Sequence, residues 1–464
     1  MAASLRKLRM FHDRVREGFG EFLHLEVSGS LMLLAATVVA LVITNSSAAE
    51  WWAGLWHTEI GLSVGTAEFS QSALHWLDDG LMALFFFVVG LEIKREILVG
   101  ELSSVRKAAL PVLAAVGGMV GPALVYTLFN YGTEGARGWG VPMATDIAFA
   151  LGIMAMLGSR VPTSLKIFMA ALAIADDIGA VIVIAIFYTA QVLPIWLLVA
   201  MGLMLFIVLF NVLGVESPIP YWIFGSAVWF AMYNSGIHAT IAGVMVALAV
   251  PTGSRMQPME FVDWARRKID EIAQHDVPGE HVLQTPHQQH CAQEIQAEAR
   301  WIQAPLQRME HAILPVSTFI ILPLFALGNA GVSFRGLDIS GLVTEPVSLG
   351  IFFGLIAGKQ LGIFGATWAA VKLGLADLPS GVRWMHIWGA SALGGVGFTM
   401  ALFIAGLAFR VGFLQSEAKL AILITSIVAG VIGYVILRKA GSEAVEAVDS
   451  ADAAGLVEAA EAQV

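Results

Sequence analysis

The chain has 464 residues, 57% of them hydrophobic and only 13% charged, with a mean hydropathy of +0.76. Soluble domains carry about 25% charged residues, so this composition excludes an ordinary soluble fold and points to an all-α polytopic membrane protein. The single cysteine, Cys291, excludes an intramolecular disulfide framework, and the net charge of −10 owes much to the acidic last stretch rather than to a partner-binding surface.

Residues 1–24 form a basic N-terminal arm, with Arg6, Lys7, Arg9, Arg14 and Arg16 interleaved with Phe11, Phe19 and Phe22. Either an interfacial helix on an anionic leaflet or a solvated arm fits that pattern. It has no apolar run with a small-residue cleavage site, so it does not read as a signal peptide. About twelve apolar segments follow, near 27–44, 73–95, 108–130, 138–157, 164–189, 193–213, 219–233, 236–250, 309–328, 347–371, 384–409 and 417–437. With the N-terminus inside, only Arg137, Arg335, Arg410 and Lys419 of the 26 Lys and Arg residues fall outside, and Lys359 falls within the membrane. That skew predicts cytoplasmic termini.

The outside stretch 57–69, HTEIGLSVGTAEF, alternates as a small β-hairpin would, with a plain loop as the competing reading. Residues 251–304 are a polar cytoplasmic insert, expected to be a solvated loop with some helix. Its His275, His281, His287 and His290 beside Cys291 match no standard zinc spacing. The Ala/Glu-rich residues 441–464 predict an acidic disordered tail.

The chain is organised around 169–189, an apolar stretch long enough to span a bilayer, with Asp176 and Asp177 at its middle. An ionised Asp at mid-membrane costs roughly 2.5–3.5 kcal/mol on insertion scales, and two adjacent acids also repel, so packing alone does not explain them. The expectation is that they hold a small cation and exchange it for protons. Pro142-Met143-Ala144-Thr145-Asp146 interrupts another apolar segment, where Thr145 or Asp146 could cap the half-helix that follows. Lys359 sits mid-segment among small residues, and a buried ammonium needs an acid partner. Gly394-Gly395-Val396-Gly397 breaks a segment near the other end of the chain. The runs 108–190 and 347–437 are each three segments broken in the second, and the number of segments between them makes the two repeats inverted. Paired interrupted segments of this kind point to a transporter's binding site.

Ala144-Thr145-Asp146-Ile147-Ala148-Phe149-Ala150-Leu151-Gly152, Ala173-Ile174-Ala175-Asp176-Asp177-Ile178-Gly179-Ala180 and Gly397-Phe398-Thr399-Met400 closely resemble the NhaA family of bacterial Na+/H+ antiporters. Phe87–Glu96 and Ser235–Thr240 resemble it too, and the similarity runs over roughly 25–440. That family is itself a type case of inverted-repeat transporters. The resemblance implies about 12 transmembrane helices with two broken, crossing helices, no enzymatic activity and no cofactor. Its transported substrates are Na+ or Li+, and H+. It implies a multi-pass protein of the inner membrane that serves sodium extrusion and pH homeostasis, with no nucleic-acid partner. By position, Asp176 and Asp177 match the cation-binding acids, with Thr145 close by; Asp146 and Lys359 match charges that balance half-helix ends; and 57–69 matches a homodimer contact. The family's pH-responsive region maps onto Glu92, Arg95, Glu96, Glu310 and His311. There the chain departs from the pattern, with Leu314 and Gln307 in place of a family histidine and lysine and with the long insert before them. Glu92, Arg95 and Glu96 also suit any solvated helix end, and His238 suits a packed or turn-capping role.

Adjacent helical residues point ~100° apart, so the two aspartates do not face one ion equally. The expectation is that one takes the cation while the other pairs with Lys359. If two protons displace one Na+, the cycle is electrogenic and the membrane potential drives it, at ~2.3 kcal/mol per charge per 100 mV. A sodium-coupled symporter would need a substrate anchor, and there is no spare intramembrane Arg. A Mg2+–pyrophosphate membrane enzyme would need DDxxD, and the third acid is missing after both Asp79 and Asp177. A passive channel would show flux that neither saturates nor couples to protons.

Overall fold

A computed structural model describes residues 27–64, 67–189, 192–253, 256–274, 286–299, 302–334, 344–409 and 412–461. The expected basic arm, the tip of the 57–69 hairpin and the part of the insert that holds His275 and His281 lie outside the described residues.

Helix α1 (Val27–Thr44) leads to the short helix α2 (Ala49–His57) and to an antiparallel hairpin of β1 (Glu59–Val64) and β2 (Ala67–Ser72), paired from Glu59 opposite Ser72 to Val64 opposite Ala67. Of the two readings of 57–69, the hairpin is the one observed. A π-helical turn, Trp76–Leu81, then opens α3 (Met82–Val99). Next come α4 (Val105–Asn130), the 3-10 segment Glu134–Met143 with α5 (Ile147–Met156), and α6 (Thr163–Phe187). Three helices follow: α7 (Pro194–Val212), α8 (Pro218–Ser235) and α9 (Thr240–Ala249). The turn expected between α8 and α9 is made by Gly236, whose φ of 83° lies in the left-handed region that glycine tolerates. The insert contributes α10 (Pro258–Gln274) and α11 (Pro286–Ala299). The chain returns to the membrane with α12 (Pro305–Asn329), α13 (Pro346–Lys372), the pair α14 (Trp384–Gly394) and α15 (Phe398–Ala408), and α16 (Phe413–Glu461).

Among the described residues, seven of these helices are long and apolar enough to cross a membrane. Two further spans are bent pairs: Glu134–Met143 with α5, at 42°, and α14 with α15, at 41°. The three remaining expected segments are the more polar or shorter α3, α8 and α9. Glu92, Lys94, Arg95 and Glu96 give α3 its polar inner end. The outermost helices look like lipid-facing ones: α7 is apolar all round and leaves Leu198 and Leu205 exposed. Helix α16 runs on past Lys439 to Glu461, so its backbone is helical where the sequence predicts disorder. Alanine and glutamate are strong helix formers, and they extend a helix already nucleated in the membrane.

Two units of matching design emerge: α4, the first bent pair and α6; then α13, the second bent pair and α16. They meet along α4 and α13. Side chains on Gly117 or Gly121 would strike the carbonyls of Gly362 or Gly358, so only glycine permits this backbone-to-backbone approach. The π-helical turn Gly354–Gly358 ends immediately before Lys359 and changes the direction in which that side chain leaves α13.

In the insert, α10 and α11 are joined by Lys268, 2.8 Å from Glu294 and 3.0 Å from Glu271. These carboxylates hold the Lys268 ammonium above its ordinary range, and Lys268 in turn holds Glu294 below its own.

Candidate functional site

Both breaks arise from local chemistry. In the first, Pro142 lacks a backbone N–H, and Asp146 adopts extended backbone and accepts the Phe149 N–H at 3.0 Å, capping α5. In the second, the glycines end α14, and the Ser426 hydroxyl of α16 accepts the Phe398 N–H at 3.1 Å to start α15.

The two breaks lie against each other. The Asp146 N–H donates to the Val396 carbonyl at 2.7 Å, and the Thr145 hydroxyl donates to the Gly394 carbonyl at 2.9 Å. The second oxygen of Asp146 accepts both the N–H and the hydroxyl of Thr399, at 3.0 and 2.5 Å. One carboxylate therefore serves the N-termini of both half-helices, α5 and α15, where the helix dipoles are positive. Lys359 does the opposite work. Its ammonium donates to the Met143 carbonyl, at the C-terminal end of the first half-segment, and to Asp176 Oδ2 at 2.5 Å. Backbone groups that neither helix can satisfy internally are thus met from the other side of the crossing.

Asp176 and Asp177 lie at the middle of α6, both buried, beside this crossing. Asp176 is the member that pairs with Lys359, and Thr145 lies close to the Asp176 carboxyl. Asp177 makes no ion pair among the described residues; Asp176, Glu92 and Asp146 place negative charge around it, and Lys359 attracts it only from farther away. Among the described residues, the Oδ1 atoms of both aspartates are buried without a hydrogen-bond partner. A buried carboxylate oxygen left unsatisfied is costly, so the pair is poised to accept a cation or a proton. Carboxylate and hydroxyl oxygens are hard donors that suit a small hard cation.

A second cluster lies at the inner end of α3. Arg95 stands 2.7 Å from Glu310, 3.8 Å from Glu92 and 3.7 Å from Glu96. Glu92 links the two clusters through its field on Asp177. His311 is exposed beside Glu310 rather than part of the ion-pair set. His238 donates from Nε2 to the Tyr188 carbonyl, 2.9 Å away, which is a tie between loops and not a ligand position.

Thr399 and Ser426, which hold the second break together, were not singled out as site residues by the sequence. The glycine break could have pointed to them, because an interrupted helix needs a polar group at its new N-terminus.

Two inverted three-helix units, broken helices crossing at mid-membrane and buried acids at the crossing define an ion-coupled secondary transporter. The family whose model matches residues 20–437 is described as Na+/H+ antiporter 1. The chain is 45% identical over 430 residues to a Na+/H+ antiporter NhaA of Sulfurimonas denitrificans, covering 92% of this chain and 96% of that protein. It is 47% identical over 429 residues to the NhaA of Oleidesulfovibrio alaskensis, with 92% and 94% covered, and 44% identical over 421 residues to that of Helicobacter pylori, with 90% and 94% covered. The chain belongs to the NhaA Na+/H+ antiporter family, and it is a transporter rather than an enzyme.

Proposed function

We propose that this chain exchanges Na+ or Li+ for H+ across a bacterial inner membrane, serving sodium extrusion and pH homeostasis, with Asp177 as the principal cation-binding acid. The observation that carries this reading is the pair of buried, partnerless Oδ1 atoms on adjacent aspartates beside the crossing. Asp177 supplies an oxygen that Lys359, bonded to Asp176, does not pair with, and Asp176 and Thr145 contribute further hard oxygens nearby. Proton and alkali cation compete for the same oxygens, and that competition alone enforces exchange if only the loaded site can change sides. Asp146 and Lys359 keep the half-helix ends neutral while the site's own charge changes. Lys359 also gives the site a second proton carrier, because cation binding that breaks its pairing with Asp176 leaves a buried ammonium that sheds its proton. Exchange of two protons for one Na+ makes the cycle electrogenic.

Glu92, Arg95, Glu96, Glu310 and His311 are the candidate pH-responsive group at the cytoplasmic entrance. The β1–β2 hairpin offers two outside strand edges for a homodimer contact. The basic inner loops support cytoplasmic termini. The deciding experiment measures Na+-dependent pH change in everted vesicles. Exchange in the parent that disappears in Asp177→Asn supports the assignment, and retained exchange in that variant overturns it.

A further inference from the structure

Between the acid pair and the outside lies a dry plug. Phe86 of α3, Phe325 of α12 and Phe403 of α15 are all buried, with ring centroids 5.5 Å apart for Phe86–Phe403 and 6.3 Å for Phe325–Phe403. Phe403 is one helical turn outside Thr399, which holds Asp146. The plug therefore seals the seam between the inverted-repeat unit, which carries Phe403, and the other helices, which carry Phe86 and Phe325.

Outside the plug, the same seam is crossed by polar side chains that the exchange mechanism does not use. Asn329, at the end of α12, donates to Asp78 Oδ1 at 2.6 Å, and its carbonyl oxygen accepts from Lys419 of α16 at 3.5 Å. Asp78 and Lys419 are near enough for direct attraction. Asn329 is buried, whereas the other two are half-buried. The neighbouring Asp79 is occupied on its own side of the seam: its carboxylate lies 3.0 Å from His75, and its carbonyl accepts from the Trp229 indole at 2.8 Å. Asp78 is thus the acid left to face Lys419. A buried Asn between an acid and a base, on three different helices, is a specific pairing rather than a solvated surface.

We propose that Asp78, Asn329 and Lys419 form an outer latch that holds the aromatic plug shut while the acid pair communicates with the inside. The proposal rests on the antiport reading. A cation leaving Asp177 for the outside must cross the plug, and the plug parts only if Lys419 withdraws from Asn329 and Asp78. Because packed interfaces are bistable, the latch acts by biasing which of two arrangements is populated.

The test places a thiol beneath the plug by Met400→Cys in a Cys291→Ser background, since Met400 is buried and precedes Phe403 by about one turn on α15. A membrane-impermeant maleimide is then added from outside to right-side-out vesicles. Labelling should be slow with the latch intact and several-fold faster with Lys419→Met or Asp78→Asn, because the open arrangement gains population; Lys419→Arg should restore slow labelling. Equal or slower labelling in folded, exchange-competent variants overturns the latch. As a second arm, Asn329→Cys with Lys419→Cys, joined by a short bifunctional maleimide, should halt exchange, and continued exchange across an efficient cross-link also overturns it. Exchange by the parent protein and by the Met400→Cys background protein is measured in the same vesicles, and its absence from the parent would count against the antiport reading instead of the latch.

Discussion

Two clusters in this molecule have the same charge inventory and opposite environments. At mid-membrane, Asp146, Asp176, Asp177 and Lys359 gather at the helix crossing, all buried. At the inner end of α3, Glu92, Glu96 and Glu310 surround Arg95, whose side chain is 33% exposed. In the inner cluster Arg95 keeps access to water while Glu310, 6% exposed, leans on that guanidinium, so these ion pairs are only partly screened. The central one has no water to fall back on, so each oxygen must be satisfied by a helix end, an ammonium or a transported ion. On the proposed reading, three acids and one base would make a binding site in one place and an adjustable entrance in the other.

The largest expected effect lies at the centre. Asp177→Asn should abolish Na+-dependent proton movement in everted vesicles while the protein still folds, because the amide removes one charge and leaves the crossing intact. Next, Lys359→Met should destabilise the protein by about 3–5 kcal/mol, the cost of leaving Asp176 as an unpaired buried charge. A thermal melt in detergent checks this, and partial recovery at acid pH, where Asp176 takes up a proton, would identify the cause. Asp146→Asn should be milder: the amide still accepts from one half-helix, but the charge that opposes two helix N-termini is lost, at roughly 1–3 kcal/mol. The readout is the same melt together with weaker sodium affinity by isothermal titration.

Smaller effects belong to the inner cluster and the insert. Glu310→Gln should move the pH profile of exchange and leave its maximum nearly unchanged; a collapse of the maximum would erase the contrast between the two clusters. Deleting 256–300 should preserve transport, with at most a shifted pH profile, and loss of folded protein would make the insert structural. Glu294→Gln should only loosen α10 from α11, seen as faster amide exchange there, with exchange activity unchanged.

Much of this was legible in the chain. Hydropathy predicted where helices run, because a membrane core demands apolar faces and internal backbone pairing. Pro142 and the glycines at 394–397 marked both breaks, because they deny a helix its donor or its stiffness. The resemblance identified Asp176, Asp177, Thr145, Asp146 and Lys359 as a group. Which aspartate would meet Lys359 stayed open, because adjacent positions on a helix differ in direction by an amount that only the neighbours resolve.

From its own letters the chain determined a membrane-spanning α protein with acids where lipid forbids them, since burial energy per residue is a local property of side chains. Only the tertiary structure decided that Asp176 takes the ammonium, that Asp146 serves two helices at once, and that Lys419 reaches Asn329 across the outer seam. Those outcomes depend on distances between residues far apart in sequence, and distance is set by how the helices pack.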